Sequence, residues 1–125
     1  MEKTFEEKLA EAKQNVASVS PQEANRQKQG NPAIVFIDPR DRADIRSTTG
    51  IIPGALNISL SDINGKPTDE LPAELEDTSS VIFTTCQGGP MGALAAHALQ
   101  KRGYQNVRFI DGGTQGWLDA GFSTH

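Results

Sequence analysis

Residues 33–37, AIVFI, run apolar without a break between Pro32 and Asp38. A strand with one wet face alternates polar and apolar residues. A continuous β-branched and aromatic run suits a strand covered on both faces, as in a parallel sheet. Similar runs recur within VIFTT, residues 81–85, and NVRFI, residues 106–110. Helical signals separate and follow them. Residues 90–102 are alanine-rich and end at Gly103, a natural C-cap, with Lys101 and Arg102 at the negative end of the helix dipole. The segment TQGWLDAG then reads as a short last helix. Strand and helix signals alternate from residue 33 onward, which predicts an α/β fold with a mainly parallel sheet.

The flanking segments are less regular. Thr4 and Glu7 fit a capping box, and Phe5, Leu9, Ala12 and Val16 share one face, so residues 5–18 read as an amphipathic helix. Ser20, Pro21 and Glu23 cap a second, polar helix that Gly30 ends. The connection DRADIRSTTG holds at most a turn of helix. Pro53-Gly54 makes a turn before a short strand at 55–58, a helical turn fits 59–63, and a short helix fits 70–76. At 125 residues the chain supports one hydrophobic core.

Charge and composition remove several function classes. A net charge of −4 without a basic stretch argues against nucleic acid and against anionic membrane surfaces. No apolar run has the length of a signal peptide or a membrane span. The single cysteine closes no intramolecular disulfide or CxxC pair, and the two histidines, His97 and His125, have no metal-ligand spacing. The expectation is a reduced, cytoplasmic, soluble protein without metal or cofactor.

The single cysteine lies where the 81–85 strand meets the 90–102 helix, in TTCQGGPMG. Ligands of open parallel sheets bind at the carboxyl ends of strands, beside helix N-termini with unsatisfied amides. Gly88, Gly89 and Gly92 let the backbone curl and turn amides inward, forming an anion-binding nest around Cys86. Pro90 lacks an N–H but suits the first helical position. Such surroundings favour a thiolate, hence a nucleophile. A lone cysteine as a small core hydrophobe is the competing reading. Neither GxxxxGK[ST] nor GxGxxG occurs, so nucleotide binding has no support.

These residues resemble the rhodanese family of sulfurtransferases from residue 33 to residue 121. VFIDPRD is similar to the family's first strand with its Asp-x-Arg ending. GIIPGALNI resembles its Gly-His-Ile-Pro-Gly-Ala-x-Asn segment, with Ile51 in place of histidine. VIFTTCQGGPMG lies where the active-site loop belongs, and KRGYQNVRFIDGGTQGW resembles the closing motif. The resemblance implies a three-layer domain, residues 31–125, with a central, mainly parallel five-stranded sheet flanked by helices. Residues 1–30 would be an additional N-terminal helical extension packed on it.

It further implies that Cys86 attacks the outer sulfur of a donor such as thiosulfate and releases sulfite. The persulfide so formed would pass its sulfur to cyanide, a thiol or a protein acceptor. The backbone amides of Gln87, Gly88, Gly89, Met91 and Gly92 would hold thiolate, persulfide and the small anionic donor. Asp38 and Arg40 read as a buried pair fixing loops beside the site, Trp117 as a core anchor, and His97 as an exposed or satisfied side chain.

The loop departs from the family in carrying no charged and no hydroxyl side chain. A hydrogen bond to a charged group contributes about 1.5–3 kcal/mol, so its loss weakens thiosulfate binding by about one to two orders of magnitude. Arg42 or Arg46, on the long connection after the first strand, is the expected substitute. The alternative function is a non-catalytic or weakly active binding or sulfur-carrier module. Phosphatase or arsenate-reductase chemistry would need an arginine closing the loop, where Met91 and Gly92 stand.

Overall fold

The three apolar runs become the middle of the sheet. In the computed structural model, which describes residues 2–125, they are β2 (Val35–Asp38), β4 (Val81–Thr84) and β5 (Asn106–Ile110). Two strands of two residues each complete the edges: β1 (Ser18–Val19) beside β5, and β3 (Leu56–Asn57) beside β2. The order is β1-β5-β4-β2-β3, and each neighbouring pair is parallel. β4 is therefore central. Segment 1–30 supplies β1 as well as two helices.

Six α-helices accompany the strands among the described residues: α1 (Phe5–Asn15), α2 (Pro21–Gly30), α3 (Arg42–Ser47), α4 (Leu60–Gly65), α5 (Pro90–Lys101) and α6 (Gly113–Asp119). Their starts follow the sequence closely. The Thr4 hydroxyl accepts from the Glu7 amide while the Glu7 carboxylate accepts from the Thr4 amide. Ser20 accepts from the Glu23 amide ahead of α2, with Pro21 in the first turn. Beyond the last turn of α1 the chain becomes extended at Val16 and enters β1, so the helix is shorter than the expected 5–18. The segment around 70–76 forms two 3₁₀ turns, Thr68–Glu70 and Ala73–Leu75, in place of one helix.

Successive side chains of a strand face opposite sides of a sheet, and here both sides are apolar. Val35, Ile37, Ile82, Val107 and Phe109 pack with α1, α4 and α5. Ile34, Phe36, Phe83 and Ile110 face the other way and pack with Ala24 of α2 and Trp117 of α6. The result is three layers. Ala93, Ala95, Ala96 and Ala98 of α5 are buried, and their small side chains let the helix lie close to the sheet. Trp117 stacks edge-on against Phe36, 5.7 Å between ring centres, and its indole donates to the Ser123 carbonyl at 2.9 Å. No helix among the described residues is long and apolar enough to cross a membrane.

His97 differs from expectation. It lies on the face of α5 that α1 covers, and it is buried rather than exposed because α1 adds a layer no local pattern announces. It lines a groove with Lys3, Lys8, Glu11 and Lys101. Burial, then the charge of Lys101, push its imidazole below the ordinary value of 6.5, against an opposite pull from Glu11 and with a smaller further push from Lys3. The unfolded chain therefore takes up this proton first as pH falls. The stability contribution is complete above about pH 6.5 and is lost as pH drops through the lower folded value. In thermal melts between pH 7 and pH 5, His97→Gln should lose less melting temperature than the wild-type protein.

Candidate active site

Cys86 follows the carboxyl end of β4, the central strand, where crevices of parallel sheets open. The ladder runs on past the strand, since the Thr85 amide donates to the Ile37 carbonyl at 2.9 Å. Thr84 ties the start of α5 back to the strand, its hydroxyl donating to the Gly92 carbonyl at 2.6 Å. A Cβ on Gly92 would lie 3.2 Å from the Thr85 Cα, so a glycine lets α5 begin directly against the strand. The Cys86 loop is confined between these fixed ends.

Within the loop, Gly89 is the residue that reaches the sulfur. Its amide donates to Cys86 Sγ at 3.0 Å. Gly89 has φ of +124°, a conformation that side-chain-bearing residues rarely adopt, and that turn aims the N–H back at the thiol. Its carbonyl accepts from the Ala93 amide at 3.0 Å and so starts α5. The amides of Gln87, Gly88, Met91 and Gly92 make no hydrogen bond to the sulfur in this geometry. The cradle rests on one amide and the start of α5, with Pro90 contributing ring and no donor.

A second clamp comes from α6. The Thr114 amide donates to the Cys86 carbonyl at 2.6 Å, and the Gln115 amide donates to the Gln87 carbonyl at 3.0 Å. The Thr85 and Thr114 hydroxyls are 2.9 Å apart. The first free amides of one helix thus hold the carbonyls of another helix's approach loop, which satisfies both. Gly112 and Gly113, with φ of +75° and +64°, bring the chain into this position. Nothing local in the sequence announces this clamp; the one signal is Gly-Gly-Thr at a helix start.

Cys86 is 3% exposed and forms the floor of a cavity of about 290 Å³. The loop supplies one wall through Gln87, Gly88, Pro90 and Met91. Arg40, Asp44 and Thr48 supply the other. Arg40 is the single cation of the lining, and it is occupied. Its Nε and NH2 donate to Asp38 Oδ1 and Oδ2 at 3.0 and 2.7 Å, its NH1 donates to Thr48 at 3.2 Å, and NH2 also reaches Thr49 at 2.9 Å. Asp38 is wholly buried. The pair fixes the 48–50 loop, which His125 and Thr124 strap from outside through bonds to Ile51 and Thr49.

Arg42 and Arg46, expected to replace the missing loop charge, line a different cavity with Ile51 and His125. α3 is a short helix, and its turn places Asp44 beside the cysteine cavity while carrying the two arginines past it. The grip on an anion is therefore not restored from this segment.

The clamp yields a direct expectation. A Cβ on Gly113 would lie 2.5 Å from the Cys86 carbonyl oxygen and 2.9 Å from that of Gln87, at a positive φ. Gly113→Ala should destabilise the protein by about 1–3 kcal/mol in denaturant unfolding. It should also slow alkylation of Cys86 at neutral pH, because the loop must shift away from α6.

Residues 20–120 match the rhodanese-like domain family. The chain is 33% identical over 104 residues to the adenylyltransferase and sulfurtransferase UBA4 of Candida albicans, covering 81% of this chain but 23% of that protein. The fold is similar to a Rhodopseudomonas palustris protein of unknown function, a possible tyrosine phosphatase. That likeness has a TM-score of 0.86 at 25% identity, covering 100% of this chain and 96% of the other. It is also similar to the human single-domain sulfurtransferase TSTD1, with a TM-score of 0.68 at 26% identity, covering 83% and 96% of the two chains. With the family matched over residues 20–120 and the fold in agreement, the protein belongs to the rhodanese-like domain family.

Proposed function

We propose that the protein is a sulfurtransferase that carries a sulfane sulfur on Cys86. One contact supports this reading above all: the Gly89 amide donating to Cys86 Sγ at 3.0 Å, at the floor of a cavity on the carboxyl end of the central strand. An N–H aimed at sulfur is placed to donate to the negative charge the sulfur carries while it attacks and while it holds a persulfide anion. The relatives named above as sulfurtransferases agree with this chemistry.

With thiosulfate as donor, the Cys86 thiolate attacks the outer sulfur. The Sγ–S bond forms as the donor's S–S bond breaks, and its electron pair leaves on sulfite. Cyanide or a thiolate then attacks the terminal sulfur of the persulfide and releases the cysteine thiolate. Two half-reactions with one covalent intermediate give ping-pong kinetics. Gly89 would hold the sulfur in both halves, while Gln87, Gly88 and Met91 of the loop line the approach and Gly92 lies against Thr85.

Phosphatase chemistry fits less well. A tetrahedral oxyanion needs several converging donors and a guanidinium, whereas the loop contains no arginine and Arg40 is engaged with Asp38, Thr48 and Thr49. A binding or carrier module remains the alternative, and the exposed Phe5 of α1 would be part of its surface.

Intact mass spectrometry separates these readings. Incubation with an organic persulfide should add one sulfur atom to the wild-type chain, cyanide should remove it, and Cys86→Ser should gain none. Thiosulfate should require concentrations about one to two orders of magnitude above those sufficient for relatives with a charged loop. No adduct from any donor would establish the binding module instead. Release of phosphate from an aryl phosphate, lost in Cys86→Ser, would favour the phosphatase.

A further inference from the structure

We propose that Asp44 is a specificity-determining residue of the Cys86 cavity, a charge filter that turns away anionic reagents and admits neutral or cationic ones. As a statement about sulfur donors this rests on the reading of Cys86 as the sulfur carrier. As a statement about access to the thiol it does not.

The charges around the cavity are few. Arg40 is the lining's only cation, and the buried Asp38 carboxylate balances it through two hydrogen bonds. Asp44 is the remaining charged lining residue. Its carboxylate has no hydrogen bond or ion pair among the described residues; only its backbone carbonyl is engaged, by the Ser47 and Thr48 hydroxyls at 3.3 and 2.6 Å. Arg42 and Arg46 line another cavity and leave it unpaired. Counting Arg40, Asp38 and Asp44, the site carries one net negative charge before the thiolate forms.

The start of α5 offsets part of this, with a partial charge of about half a unit. A dianion such as thiosulfate therefore approaches a thiolate past an unbalanced carboxylate, with the Gly89 amide as the one donor on the sulfur. A hydropersulfide on an organic carrier reacts through its neutral form, which meets no such penalty. The thiolate attacks its terminal sulfur, the Sγ–S bond forms, and the carrier leaves as a thiolate with the electron pair of the broken S–S bond. The proton arrives with the transferred sulfur and is then lost to solvent, leaving the persulfide anion beside the Gly89 amide. Pro90 and Met91 give the carrier's alkyl stem an apolar wall.

Because Cys86 is the chain's single cysteine, its labelling can be read without background. The probes are methanethiosulfonates bearing a sulfonate, a trimethylammonium group or a bare methyl group, used at low ionic strength. In Asp44→Asn the ratio of cationic to anionic labelling rates should fall by about tenfold, the methyl reagent supplying the change in thiol reactivity that is common to all three probes and cancels in the ratio. Asp44→Lys should lower the ratio further. Sulfur loading from thiosulfate should rise in both variants relative to loading from an organic hydropersulfide.

An unchanged labelling ratio in both variants overturns the filter, whatever the donors do. A fall in the ratio with no sulfur on Cys86 from any donor supports the filter and overturns the sulfur-transfer reading alone. A fall in the ratio with thiosulfate loading unchanged overturns the assignment of Asp44 as a donor-specificity residue.

Discussion

The bonds from the first amides of α6 to the carbonyls of Cys86 and Gln87 decide where the thiol sits. A glycine-rich loop after a strand has many conformations, and ordering it costs about 1–2 kcal/mol of backbone entropy per residue. Three anchors offset that cost here. β4 fixes the start of the loop, the Thr84–Gly92 bond fixes its end, and α6 holds the middle. Remove the α6 clamp and the Gly89 amide has no reason to stay aimed at the sulfur. Gly113 is the position where this arrangement is tightest, since any side chain there enters the space of the Cys86 carbonyl.

The opposite wall follows the same logic on a different scale. Asp38 ends β2 fully buried, and Arg40 spans from it to the 48–50 loop. Breaking such a buried pair costs about 3–5 kcal/mol, because one charge is left without a partner. An arginine with that duty is poorly placed to clamp a substrate. The site consequently offers a positioned thiol, one amide and a lining whose free charge is negative. Holding a thiol in place and recognising an anion are separable tasks, and the geometry of this cavity serves the first.

Much of the fold was legible because its strongest signals are local. AIVFI and VIFT are apolar on both faces, and parallel strands between two helical layers require just that. Caps at Thr4 and Ser20 and the handover at Cys86 are encoded in neighbouring residues. β3 was legible from the Pro53-Gly54 turn before it, whereas β1 was not, since that two-residue strand exists through its pairing with β5 and has no periodicity of its own. The α6 clamp joins segments distant in sequence, so Gly112-Gly113 announced a turn without announcing its partner. Whether Asp44 or Arg42 meets the cavity depends on the rotation of a short polar helix, which no apolar stripe reports. The burial of His97 was not legible, because the helix that covers it comes from the other end of the chain.

The central claim is that Cys86 carries transferable sulfur. The most direct measurement loads the protein with an organic persulfide, removes the excess donor, adds cyanide and counts thiocyanate released per chain. Near-stoichiometric release from the wild-type protein, with none from Cys86→Ser, is the expected result. Equal release from both proteins, or none from either, would contradict it.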